Sequence, residues 1–102
     1  MQISFYPKEK LISDLKRVVG KYLDTKNYHL FFFGSRVSGK GNERSDIDVG
    51  LEGPTPVPWN ILGKIREDLD EIPTLYKIEL IDFGHADTDF KKVAKQSIEP
   101  ID

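Results

Sequence analysis

Asp46 and Asp48, with one residue between them, are the pair in this sequence best spaced to do chemistry. On a β-strand, side chains two positions apart leave the same face, so both carboxylates can share divalent cations, which prefer oxygen ligands. The surrounding segment alternates strictly, with Asp46, Asp48, Gly50 and Glu52 on one side and Ile47, Val49 and Leu51 on the other. That alternation equally describes a solvated strand face whose acids only meet water. Upstream, the apolar run Leu30 to Phe33 ends at Gly34-Ser35. Glycine lets backbone approach a ligand closely, and a turn starting at Ser35 offers amides to phosphate oxygens. A Gly-Ser pair alone carries little weight. A buried strand, then Gly-Ser, then residues 36–45, then Asp-x-Asp on a clean strand is a conjunction that chance rarely assembles.

A third acid is available in Ile78-Glu79-Leu80-Ile81-Asp82-Phe83. Glu79 and Asp82 are three apart, so on a strand they face opposite sides and only one can join the aspartate pair. Arg36 could neutralise phosphate charge, or could be a solubilising loop residue. His29, before an apolar strand, and His85, in a loop without a partnered nucleophile, read as structural. Trp59, Tyr22 and the phenylalanines suit core or partner-facing positions.

The elements that position these residues follow from periodicity. Leu11, Ile12, Leu15, Val18, Val19, Tyr22 and Leu23 form one helical face between Lys8 and Asp24, with Pro7 at the first helical position. Tyr28 to Phe33 reads as a strand buried on both faces. Arg36 to Arg44, interrupted by Gly39 and Gly41, reads as a short helical turn and a loop, and Ser45 to Glu52 as a strand. The proline-rich stretch 53–58 cannot continue a sheet. Beyond it, Ile61, Leu62, Ile65, Leu69 and Ile72 define a helix that Pro73 ends, and Lys77 to Phe83 a third strand. Asp87 or Thr88 can cap a last helix with Phe90, Val93, Ala94 and Ile98 facing inward. The expected fold class is α/β (α+β): one domain over 1–102, with a small three-stranded mixed sheet, its first pair antiparallel, covered by helices.

Composition bounds what such a domain does. Hydrophobic residues at 38% and charged residues at 31% fit a soluble globular chain. No apolar run is long enough to span a bilayer, and Met1 to Pro7 lacks the pattern of a secretory leader. The absence of cysteine removes disulfides, thiolate catalysis and cysteine-zinc sites, and a cytoplasmic location is expected. A net charge of -2 argues against an extended nucleic-acid surface, so nucleotide contacts should be local.

Gly34-Ser35-Arg36-Val37-Ser38-Gly39 followed by Ser45-Asp46-Ile47-Asp48-Val49 resembles the minimal nucleotidyltransferases of the DNA polymerase β superfamily. The resemblance runs from Leu30 to about Ile98 and implies a polymerase β-like nucleotidyltransferase fold. It implies that Gly34 and Ser35, with Arg36 beside them, bind the triphosphate, and that Asp46, Asp48 and Glu79 hold two Mg2+ ions and act catalytically. Family members often have aspartate where this chain has Glu79; the exchange lengthens the side chain without removing a ligand. AMP transfer from ATP to a hydroxyl is the implied reaction.

Small stand-alone domains of this kind are commonly paired with a helical HEPN protein as antitoxin and toxin, the nucleotidyltransferase placing AMP on a tyrosine of the HEPN ribonuclease. A HEPN-type partner is thus expected, with homo- or hetero-oligomerisation left open. Transfer to a small molecule, as in antibiotic nucleotidyltransferases, is an alternative that usually involves an additional helical domain. A non-catalytic antitoxin that neutralises its partner by contact is another, although a pure binder has no need of three acids facing one another.

Overall fold

The computed structural model describes residues 1–101. The elements run α1 (Lys8–Gly20), β1 (His29–Phe33), α2 (Ser35–Ser38), β2 (Ile47–Glu52), α3 (Trp59–Leu69), β3 (Ile78–Asp82), α4 (Thr88–Ala94) and β4 (Glu99–Pro100). The strands form one mixed sheet in the order β3-β2-β1-β4. β1 runs antiparallel to β2 and β4, and β2 parallel to β3. The antiparallel first pair brings the end of β1 and the start of β2 to one edge, with Phe33 opposite Asp48.

Alternation divides the sheet into two unlike faces. Leu30, Phe32, Val49, Leu51 and Leu80 pack against Leu11, Leu15, Val18 and Val19 of α1 and Leu62, Ile65 and Leu69 of α3. Those helical residues recur at three- and four-residue intervals, so each helix lays one apolar stripe on the sheet. Ile72, beyond the end of α3, is also buried there. The opposite face carries a smaller cluster of Phe31, Phe33 and Phe83, flanked by Ile81 and Ala94. Both faces of β1 are therefore covered, as its unbroken apolar run predicts.

Three expectations need correction. The sheet has a fourth strand, because the chain turns after α4 and lays Glu99 and Pro100 beside Phe32 and Phe31. α1 stops at Gly20, and Tyr22 lies in the following turn, donating its hydroxyl to Asp68 Oδ2 at 2.8 Å. α4 stops at Ala94, leaving Val93 68% and Ile98 41% exposed rather than inward-facing, while Phe90, 39% exposed, does turn inward and meets Phe33 and Phe83 edge-on. The apolar residue buried in this last stretch is instead Ile101, in the α1/α3 cluster, with its amide bonding Leu30 O at 3.0 Å. The cap of α4 is as expected: Asp87 Oδ1 accepts from Phe90 N at 2.7 Å. Among the described residues no helix is long and apolar enough to cross a membrane.

Candidate active site

The sheet register builds the site. Asp48 pairs with Phe33 on one side and Glu79 on the other, so Asp48 and Glu79 leave neighbouring strands side by side on one face. Asp46 shares that parity one residue before β2 begins. Gly34 follows Phe33 directly and holds φ at +82°, where other residues are strained. A Cβ built on Gly34 would lie 2.1 Å from Asp48 Oδ2, so the carboxylate occupies the space a side chain would need. The Gly34-Ser35 turn and the aspartate pair are thus parts of one structure. In α2 the first turn bond starts at Val37 N, donating to Gly34 O at 3.1 Å, so the Ser35 and Arg36 amides are the donors presented off the helix start.

Electrostatics single out Asp48. Burial, then the charges of Glu79 and Asp46, push its carboxyl up to about 6. Three acids close enough to feel one another, beside free amide donors, form a hard-oxygen set that suits magnesium carrying a polyphosphate. Among the described residues no three His, Cys, Asp or Glu side chains are drawn together tightly enough to hold an ion as they stand, as expected for like charges that repel. The donor chemistry is of the kind such an ion takes, but the carboxylates as spaced here would have to converge to hold one.

Asp82 is on the other face. It is 3% exposed and accepts from Val57 N at 2.7 Å and Gly84 N at 2.8 Å. It therefore anchors the proline-rich loop and the turn after β3, as the parity of Glu79 and Asp82 requires. His85 Nε2 lies 2.7 Å from Val57 O and its ring stacks on Trp59 at 3.8 Å, so both belong to that anchor. Trp59 is 66% exposed, away from the core.

Arg36 departs from its expected role. Its side chain is 3% exposed, and Nη1 donates to the carbonyls of Asn42 and Ser45 while Nη2 donates to that of Gln2. A guanidinium so engaged is unavailable for bidentate phosphate binding. Sequence reasoning also missed a cavity of about 430 Å³ beside Gly34, lined by Ser38, Lys40, Phe33, Phe90 and Val93. Its only signal in the sequence was the polar segment after Gly34, which reads simply as a loop.

A mixed sheet that sets a Gly-Ser turn against a strand carboxylate, with a second acid in register on the next strand, has the architecture of a nucleotidyltransferase. The chain belongs to the polymerase beta nucleotidyltransferase family, whose model matches residues 15–101. It is 26% identical over 70 residues to a probable protein adenylyltransferase MntA of Haemophilus influenzae (strain ATCC 51907 / DSM 11121 / KW20 / Rd). That match covers 69% of this chain and 61% of MntA. In fold it is similar to a crystal structure of a toxin-antitoxin with AMP-PNP, at TM-score 0.61 and 21% identity, covering 93% of this chain and 73% of the other. It is also similar to a chain in the structure of a tri-AMPylated Shewanella oneidensis HEPN toxin in complex with MNT antitoxin, at TM-score 0.62 and 15% identity, covering 93% and 71%.

Proposed function

We propose that this chain is a protein adenylyltransferase that moves AMP from ATP to a tyrosine hydroxyl of a HEPN-type toxin and thereby acts as an antitoxin. The observation that carries the reading is the contact of Gly34 with Asp48, whose other neighbour in register is Glu79. A Gly-Ser turn abutting two strand carboxylates in register is what supports a site for a metal-bound triphosphate. The protein-modifying activity and the HEPN partner rest on the likeness to MntA and to the toxin complexes.

In this mechanism the amides of Ser35 and Arg36 receive the oxygens of the leaving phosphates, and Gly34 allows the triphosphate to lie against the sheet edge. Asp46, Asp48 and Glu79 would hold two magnesium ions, which supply charge neutralisation for an in-line displacement. The tyrosyl oxygen forms a bond to the α-phosphorus as the bond to the bridging oxygen breaks, and pyrophosphate leaves with that electron pair. The hydroxyl proton passes to a site carboxylate.

Purified chain, MgATP and a HEPN protein from the same genome provide the test, read by intact mass. Addition of AMP to the HEPN protein, abolished by Asp46→Asn, is expected. If Asp46→Asn neutralises the toxin as well as wild type does and no mass is gained, neutralisation is by contact alone. The exposed Phe90, Val93 and Ile98 would then be the first residues to examine as the contact surface.

A further inference from the structure

The loop between the phosphate turn and the aspartate strand is held by a cluster on the side of the site away from α4. Arg36 lies one residue after Ser35, and the carbonyl it bonds at 3.2 Å belongs to Ser45, immediately before Asp46. One guanidinium therefore spans the two halves of the site. Its face is covered by the Tyr76 ring, with Cζ 5.0 Å from the centroid, and Glu43 lies 3.7 Å from Nη2. Tyr76 donates its hydroxyl to Glu43 Oε2 at 3.0 Å and accepts from the amides of Ser4 and Phe5 at 3.0 and 3.1 Å. Ser4 Oγ donates to Glu43 Oε1 at 2.9 Å. The hydrogen bonds from Ser4 and Tyr76 hold the Glu43 carboxyl below its ordinary value.

The loop is otherwise held by local polar bonds, among them Arg44 N to Asn42 Oδ1 at 2.8 Å and Ser45 N to Asn42 O at 3.0 Å. Lys40 N and Gly41 N both bond Ser35 O, at 3.0 and 2.9 Å, and Asn42 N bonds Ser45 Oγ at 3.0 Å. Gly41 passes so close that an added Cβ would stand 2.9 Å from Ser35 Oγ and 3.0 Å from Ser45 Oγ. Glu43 and Arg44 are exposed and lack apolar side chains to bury. The sheet register sets Asp48 opposite Phe33, and the polar bonds converging on Arg36 tie the stretch just before Asp46 to the Ser35 turn.

We infer that Arg36, braced by Tyr76 and Glu43, is a positioning residue that fixes the spacing between the Ser35 phosphate turn and Asp46 and so sets the affinity of the site for metal-bound nucleotide. The inference rests on the nucleotide-binding reading of the site, though not on the identity of the acceptor. The Arg36 side chain is engaged with protein carbonyls and touches neither substrate nor metal; only its backbone amide faces the phosphates. Its Nη1 and Nη2 donors serve three carbonyls on two stretches of chain, Gln2 and the 42–45 loop, a planar fork that the single ammonium of lysine cannot copy. Groups that orient metal ligands typically change metal affinity by about 10- to 100-fold when mutated.

The test is binding, with no HEPN partner present. A fluorescent ATP analogue is titrated at fixed Mg2+, then Mg2+ at fixed analogue, for wild type, Tyr76→Phe and Arg36→Lys; amide hydrogen exchange is followed over residues 39–46. Arg36→Lys should raise the Mg2+ midpoint by about tenfold. Tyr76→Phe should raise it by about threefold, the lower effect expected of a brace that acts through Arg36. Both should speed exchange in the loop while the amides of β1 and β2 remain protected, which separates mispositioning from general loss of fold. Should Arg36→Lys fail to fold, Tyr76→Phe, which deletes one partly buried hydroxyl, decides alone. Midpoints within a factor of about two of wild type would overturn the clamp and leave the proposed function standing. A wild type that binds no Mg2+-nucleotide would overturn both.

Discussion

The two faces of the sheet divide the work of the molecule. On the face covered by α1 and α3, side chains such as Phe32, Val49, Leu51 and Leu15 are wholly buried, and the acid on that face, Asp82, is buried with its oxygens bonded to backbone amides. On the other face, three phenylalanines share the surface with Asp48 and Glu79, and α4 covers only part of it. The first face is built for stability. The second leaves carboxylates at the sheet edge where they repel one another, a cost that a ligand can offset.

The largest effect that separates the faces should come from truncating one phenylalanine on each. Phe32→Ala removes a side chain with no exposure and should cost about 3–5 kcal/mol, a large share of the roughly 5–15 kcal/mol that stabilises a domain. Phe90→Ala, at 39% exposure, should cost about 1 kcal/mol. Urea denaturation measures both. Equal losses would show that the α4 face is as much a core as the other.

A smaller contrast lies between two acids of one strand. Asp82→Asn weakens the acceptor for the Val57 and Gly84 amides and should lower stability by about 1–3 kcal/mol, with nucleotide affinity unchanged in the folded protein. Glu79→Gln should do the opposite, abolishing transfer with little change in melting temperature. If Asp82→Asn proves the more damaging to turnover at a temperature where both variants are folded, the assignment of β3 faces is wrong.

Gly34→Ala tests the junction of the faces with the turn. The new methyl meets Asp48 Oδ2 at a backbone φ of +82°, so nucleotide binding should be lost along with about 1–2 kcal/mol of stability. Calorimetric titration with ATP and Mg2+ checks the first and thermal melting the second.

The smallest expected effect has the opposite sign. The Asp48 carboxyl is raised from 3.8 to about 6, so the folded metal-free protein loses stability as pH rises through that value. Below pH 3.8 the penalty is absent. Asp48→Asn should therefore raise metal-free stability above neutral pH by about 1 kcal/mol, allowing for solvent screening, and flatten this part of the pH profile. A variant less stable than wild type in chelator would contradict the repulsion.

The same division explains what could be read in the sequence. Strict alternation around Asp48, the apolar run before Gly34 and the helical stripes of α1 and α3 report burial directly, so the strands, their antiparallel first pair and the opposite facing of Glu79 and Asp82 were legible. Periodicity failed where burial comes from a short contact late in the chain. Ile98 matched the stripe of α4, but β4 turns the chain and Ile101 fills the core. Arg36 failed for a different reason. A guanidinium beside a phosphate turn suggests phosphate, whereas its carbonyl partners are defined only when residues 2, 42 and 45 come together in the fold. The cavity beside Gly34 was equally invisible, since Ser38 and Lys40 come from α2 and its loop and Phe90 and Val93 from α4.

The central claim is that the open face transfers a nucleotide while the covered face only holds the fold. Its most direct measurement is single-turnover transfer of labelled AMP from ATP to a HEPN protein by wild type, Glu79→Gln and Val49→Ala, all held well below their melting temperatures. Transfer is expected from wild type and from Val49→Ala despite its lower stability, and none from Glu79→Gln despite a native melting temperature. Transfer that survives in Glu79→Gln, or that fails in wild type while MgATP is bound, would contradict it.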